Sequence, residues 1–130
     1  RERQSDNWET LYWWNTRRHP DLTEYEHWYD SGKKVWPSDI DLTPIVLKHL
    51  YAGDGSWSNK NGSDHIRIAM WNEVDNTGKV DDMFERADLP APMNYSITDT
   101  SCTAIWSVSQ SRQLWEYMGE PLPGFEYKWP

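Results

Sequence analysis

Beyond residue 42 the apolar positions switch between a spacing of three or four and a spacing of two. The first helical stretch is 42–57, LTPIVLKHLYAGDGSW, where Thr43 before Pro44 opens a helix. A hydroxyl caps the free amides of the first turn, and proline fits where no amide partner is needed. This helix is predicted to run to about Gly53. Residues 56–60, an Asn61-Gly62 turn and residues 65–72 (HIRIAMWN) then read as a hairpin, because Asn-Gly between extended runs favours one. Alternation sends Ile66, Ile68 and Met70 to a core face and His65, Arg67, Ala69 and Trp71 to the other. Val80, Met83, Phe84 and Ala87 recur at three and four, predicting a helix over 77–87 capped by Asp75 and ended by Leu89-Pro90-Ala91-Pro92. A second hairpin follows over 93–98 and 102–108. Tyr95, Ile97, Ala104, Trp106 and Val108 look inward, and Asn94, Ser96, Thr98, Thr103, Ile105 and Ser107 look outward. Ser109 is a candidate cap for a last helix over 110–118, which stops at Gly119, and the proline-rich tail 120–130 reads as irregular structure. The order helix, hairpin, helix, hairpin, helix predicts an α+β fold, with a four-stranded antiparallel sheet and helices on one face.

The first 30 residues do not look like the start of a domain. Residues 8–16 (WETLYWWNT) are rich in strand formers, and 21–29 (DLTEYEHWY) put Leu22, Tyr25, Trp28 and Tyr29 on one helical face. A strand and a helix alone cannot bury that much Trp and Tyr. Three parts result: 1–30, a strand and helix; 31–42, a linker with Gly32, Pro37 and the pair Lys33-Lys34; and 43–130, the main unit.

The chemistry points to the end of the first helix. Asp54 and Gly55 follow its last turn, so a carboxylate is held where unpaired carbonyls already make a negative field. That place suits a cation. A hard ion such as Mg2+ would be drawn by carboxylate and carbonyls together, and it keeps open positions for phosphate oxygens and water. A glycine past a helix is also an ordinary C-cap, and Asp-Gly an ordinary turn.

The flanks add to this. Residues 47–55, LKHLYAGDG, resemble the nine-residue motif that names the LAGLIDADG homing endonucleases, matching at both leucines and at the final Asp-Gly. Upstream, YDSGKKVWP (29–37) is similar to the family's Y-x-x-G-K-K-x-x-P segment, and LTP (42–44) to its helix opening. Downstream, YKWP (127–130) is similar to a Tyr-Lys-hydrophobic-Pro segment that carries a lysine into the active site of some members. The resemblance implies an αββαββα repeat whose bare sheet face forms a saddle over double-stranded DNA. It implies an Mg2+-dependent, site-specific DNA endonuclease, with Asp54 as metal ligand and Asp54, Lys34 and Lys128 as the catalytic set. Nothing in spacing alone brings Lys128 to Asp54.

In the family two such helices pack side by side, each contributing a carboxylate. The single copy here implies a second repeat, either a missing N-terminal half whose tail is 1–30 or another copy in a homodimer. Leu47, Leu50, Ala52 and Gly53 are the candidate packing residues of that helix pair. His49 departs from the glycine of the family name, and Gly53 sits where many copies carry alanine or a second acid. His49 reads as a packed, hydrogen-bonded residue in preference to a ligand, and His19, His27 and His65 have no partner at zinc-like spacing. The candidate DNA-binding residues are the outward strand positions Arg67, His65, Asn94, Ser96, Thr98 and Thr103, with Arg67 suited to guanine.

Composition pulls against this reading. The 130 residues carry a formal net charge of -8, and phosphate binding normally shows as a basic surface. The two agree if acidic residues coat the outside while the few cations line one face. A halophilic source, with molar salt inside the cell, would also fit. Of the hydrophobic 37%, 10 residues are Trp and 2 are Phe, so large aromatics supply the buried area of a globular domain. Cys102 is the one cysteine, which argues against a disulfide-stapled secreted domain. No stretch is apolar enough to span a membrane, and the expected location is the cytoplasm or nucleoid. A start at Arg1 suggests a processed chain or fragment. No His-Asn pair precedes a nucleophile at the end, so an intron-borne or free-standing gene is expected over an intein. The alternative from another class is a non-catalytic nucleic-acid-binding module, such as an RNA-splicing maturase or a decayed endonuclease.

Overall fold

The computed structural model describes residues 20–60 and 63–130, together with a two-residue antiparallel ladder between Glu2–Arg3 and Leu11–Tyr12. The strand expected over 8–16 and the Asn61-Gly62 turn lie outside the described residues, the short ladder excepted.

Helix α1 spans Pro44–Asp54, with Thr43 Oγ1 accepting from Val46 N–H at 3.4 Å. Strands β1 (Gly55–Lys60) and β2 (Ser63–Ala69) follow, then α2 (Thr77–Arg86), β3 (Asn94–Ile97), β4 (Cys102–Ile105) and α3 (Val108–Met118). The strands form one antiparallel sheet in the order β1-β2-β4-β3, so the two hairpins meet along β2 and β4. This is the α+β layer arrangement expected from the alternating rhythms.

The core lies between the sheet and its helices. Leu47 and Tyr51 of α1, Val80, Met83 and Phe84 of α2, and Leu114, Trp115 and Met118 of α3 cover Ile66, Ile68, Cys102 and Ala104. Trp106 is fully buried, tilted against Phe84 at 5.1 Å, and its indole N–H donates to the Pro90 carbonyl at 2.9 Å. Ser111 is buried because its hydroxyl accepts the Ile66 amide at 2.8 Å.

Several local expectations change. Asn76, not Asp75, precedes α2 and makes no side-chain cap. Helix α3 begins at Val108 under a capping box between Ser107 and Gln110, so Ser109 is not its cap and Val108 is not a strand residue. Trp71 sits in a 3-10 turn, Trp71–Glu73, because β2 ends at Ala69. Ile97, expected inward, is 53% exposed at the sheet edge. The expected helical face at 21–29 is a 3-10 helix over Pro20–Trp28, whose three-residue turn matches the spacing of Leu22, Tyr25 and Trp28. Tyr25 and Tyr29 are exposed. In the tail, Trp129 meets the Tyr51 ring edge-on at 5.0 Å.

The segment 31–42 is a docked strap. Tyr29–Asp30 pairs with Lys33–Lys34 across a two-residue turn, for which Ser31 and Gly32 take φ of 50° and 79°. Beyond it, Trp36 and Ile40 pack on the core, and Pro37 is buried.

Candidate active site and nucleic-acid interface

Asp54 is the last residue of α1, and its side chain is exposed. Gly55, where β1 starts, is required by close approach: a Cβ there would overlap the ring and carbonyl of Tyr51. The Asp-Gly pair thus leaves the helix hard against a buried tyrosine, which fixes where the carboxylate stands.

The negative field at this helix end does attract a cation, and the cation is Lys128. Its ammonium donates to Ala52 O at 2.7 Å and Gly55 O at 2.8 Å, the carbonyls on either side of Gly53 and Asp54. The Tyr51 hydroxyl in turn donates to the Lys128 carbonyl at 2.6 Å. Burial pushes the Tyr51 phenol up to about 12. The tail thereby brings Lys128 to Asp54, which spacing alone did not reveal. The Ala52 and Gly55 carbonyls each accept from the lysine, so an ammonium meets part of the negative field expected to draw a metal. Among the described residues no group of three or more His, Cys, Asp or Glu is placed to hold a metal ion. Asp54 is the one carboxylate that α1 offers toward a divalent cation.

Lys34 lies across a cleft of about 560 Å3 that Asp54 also lines. One wall is α1, through Val46, His49, Leu50 and Asp54, and the other includes Trp28 and strap residues 34–37. The Lys34 ammonium sits over the Trp28 ring, 5.8 Å from its centroid. His49 Nδ1 lies 2.7 Å from Ile45 O, so that nitrogen carries the hydrogen and donates within the helix.

The packing helix divides differently from expectation. Leu47 and Ala52, 1% and 4% exposed, face the chain's own core and are not available to a second helix. The outward stripe is Ile45, His49 and Gly53, spaced by four, with half-buried Val46 and Leu50 beside it. Gly53 has open space around it.

On the sheet, the face away from the helices collects most of the candidate DNA contacts. Strand register sets Ser56, Arg67, Ile105 and Asn94 in one row across all four strands. Ala69, Thr103 and Ser96 form the next row, and Ser58 pairs with His65. No described strand residue of this face is a carboxylate, whereas Asp82, Glu85, Asp88, Glu116 and Glu120 are exposed on the helical side. Arg67 is half-buried, and its Nε has no hydrogen-bond partner. His65 Nδ1 donates to Trp106 O at 3.0 Å, so only its far edge is open. Thr98 lies past the end of β3, in a turn where its hydroxyl pairs with Ser101 at 2.7 Å, and it is the one candidate that leaves the strand face.

Sequence reasoning missed the residues that hold the strap. Asn72 Nδ2 donates to Lys34 O at 2.7 Å, and Arg86 to Ser38 O at 2.7 Å. Glu73, 1% exposed, accepts the Trp36 amide and pairs with Lys79 at 2.6 Å. Nothing local marks them, since each is a polar residue among other polar residues.

No curated protein and no solved structure matches the chain. A family model does, over residues 1–81, a span that includes the strap, α1, the first hairpin and the start of α2. That match covers more than half of a chain with the fold and the helix-end carboxylate described above, and the protein belongs to the LAGLIDADG DNA endonuclease family.

Proposed function

We propose that the chain is one repeat of a site-specific, Mg2+-dependent homing endonuclease acting on double-stranded DNA in the cytoplasm or nucleoid. The observation that carries this reading is that Asp54 and Lys34 line a single cleft while Lys128 is bonded to the carbonyls flanking Asp54. Three such charges suit a phosphodiester, whose cleavage gathers negative charge on oxygen.

Each residue has a role in this reading. Asp54 holds the metal, and a carboxylate from a second repeat or a second copy completes the site. When bound, the metal supplies Lewis-acid polarisation of the phosphate and an activated water. Lys34 faces the scissile phosphate from the opposite wall. Lys128 has three N–H donors, two of them on carbonyls, which leaves one for a phosphate oxygen. Arg67 and its row neighbours read base edges, and the carboxylate-free face carries the backbone contacts. Residues 1–30 are the tail of a preceding repeat, 31–42 the strap, and 43–130 the catalytic repeat. The acidic helical side reflects a cell with molar salt.

The test is Asp54→Asn. Cutting of a selected duplex is expected to be lost while binding stays within about threefold, since one neutralised carboxylate removes the metal ligand and leaves the sheet intact. Undiminished cutting would refute the assigned role.

The net charge of -8 and the single motif copy favour a second reading, a binding module without cleavage, such as a maturase or decayed endonuclease. Light scattering in molar KCl separates them. A dimer assembles two Asp54 carboxylates and predicts cutting, whereas a monomer that binds DNA without cutting supports the module.

A further inference from the structure

We propose that Glu73 is a positioning residue: it locks the strap that carries Lys34 into the cleft shared with Asp54. The inference rests on the reading of Lys34 as a phosphate-facing cation.

Glu73 is 1% exposed, whereas most carboxylates of the chain stand in water. Burying a carboxylate is unfavourable unless it is compensated, and here one oxygen is hydrogen-bonded and the other is ion-paired. One accepts the Trp36 amide, and the other lies 2.6 Å from the Lys79 ammonium. The same ammonium donates to the Trp36 carbonyl at 2.6 Å. A Glu-Lys pair thus takes both polar groups of one peptide residue, as a neighbouring strand would.

The grip is periodic. Asn72 holds the carbonyl of residue 34, the Glu73-Lys79 pair holds residue 36, and Arg86 holds the carbonyl of residue 38. Alternate residues of an extended chain face the same side, and the grips fall on residues 34, 36 and 38, the last at the start of a turn. All three grips act on backbone, which leaves the Lys34 side chain to the cleft. The outer two are exposed and the central one is buried, so the pair at Glu73 is where a loss is felt most.

The consequence reaches the site because residues 34–37 form one wall of the cleft and α1 forms the other. Glu73 also lines that cleft, but its carboxylate is spent on the strap. Releasing the strap would withdraw Lys34 from Asp54 with α1 undisturbed.

The test uses the full chain, a duplex selected from a random library, and the variants Lys34→Met, Glu73→Gln and the double. Glu73→Gln should slow cleavage at saturating DNA about tenfold, and the double variant should be no slower than Lys34→Met, because two residues acting through one group are not additive. Trypsin cleavage after Lys33 and Lys34 should accelerate about tenfold relative to cleavage after Arg112, since local opening governs it. Should Glu73→Gln fail to fold, Asn72→Ala should give the same pattern at smaller size. An unchanged trypsin rate at the strap, or rate losses that multiply in the double variant, overturns the proposal. Full cutting by Lys34→Met overturns the underlying reading of Lys34, which is visible separately from the strap's protease sensitivity.

Discussion

Tyr51 and Lys128 hold each other reciprocally: the tyrosine hydroxyl donates to the lysine carbonyl at 2.6 Å, and the lysine ammonium returns to the carbonyl of Ala52, the residue after Tyr51, at 2.7 Å. The site helix and the tail are therefore one unit. Lys128→Met keeps the stem and removes the charge-assisted bonds, so it should destabilise the chain by about 2 kcal/mol in urea unfolding. Lys128→Arg should recover most of the loss, because guanidinium also reaches two acceptors.

The two glycines around Asp54 should respond oppositely to alanine. Gly55→Ala forces a methyl onto Tyr51 and should destabilise by about 2 kcal/mol, the usual size of overpacking. Gly53→Ala meets open space inside a helix and should stabilise the isolated chain by about 0.5–1 kcal/mol. If a second helix packs on the outward stripe, the same Gly53→Ala should weaken that association. Thermal melts and light scattering on one pair of variants read both effects.

Alkaline pH should unfold the protein through buried phenols. Tyr51 is raised to about 12 by burial, and Tyr95 is raised by burial and by its hydrogen bond to Asp81 at 2.7 Å. A raised native pKa means that the folded state keeps a proton the unfolded chain gives up near 10. Stability from these groups is complete below pH 10 and falls as pH rises toward 12. Tyr51→Phe should flatten the decline over that window, as measured by unfolding free energy against pH.

Salt should stabilise the fold. With a net charge of -8 and carboxylates exposed on the helical side, self-repulsion is screened as the Debye length shrinks to about 3 Å at 1 M. A rise of about 5 °C in Tm between dilute buffer and 2 M KCl corresponds to about 1 kcal/mol. An unchanged Tm would remove the halophilic interpretation.

The main elements were legible because their signals are local. The Thr43-Pro44 start, the alternation through Ile66 and Ile68, and the spacing of Val80, Met83 and Phe84 each state a period, and the structure follows it. Caps were less legible: Ser107 and Ser109 are both plausible, and the Gln110 side chain decides between them through a contact that needs the fold. The buried face of α1 was misassigned at Leu47 and Ala52 because helical spacing defines a stripe without saying which neighbour covers it. Of the site, Asp54 announces itself by its place at a helix end. The strap's grips by Asn72, Glu73 and Arg86 span 37 or more positions, and no local pattern encodes such a separation.

The carboxylate-free sheet face makes the molecule a lever in an electric field. Acids on the helices and none among the described strand residues of the opposite face give it a front and a back, so a polyanion exerts a torque before any contact forms. A chain whose total charge opposes DNA is then turned to arrive face first. Adding acids to the helices leaves that orientation intact, whereas one carboxylate placed in the Arg67 row would weaken the turn.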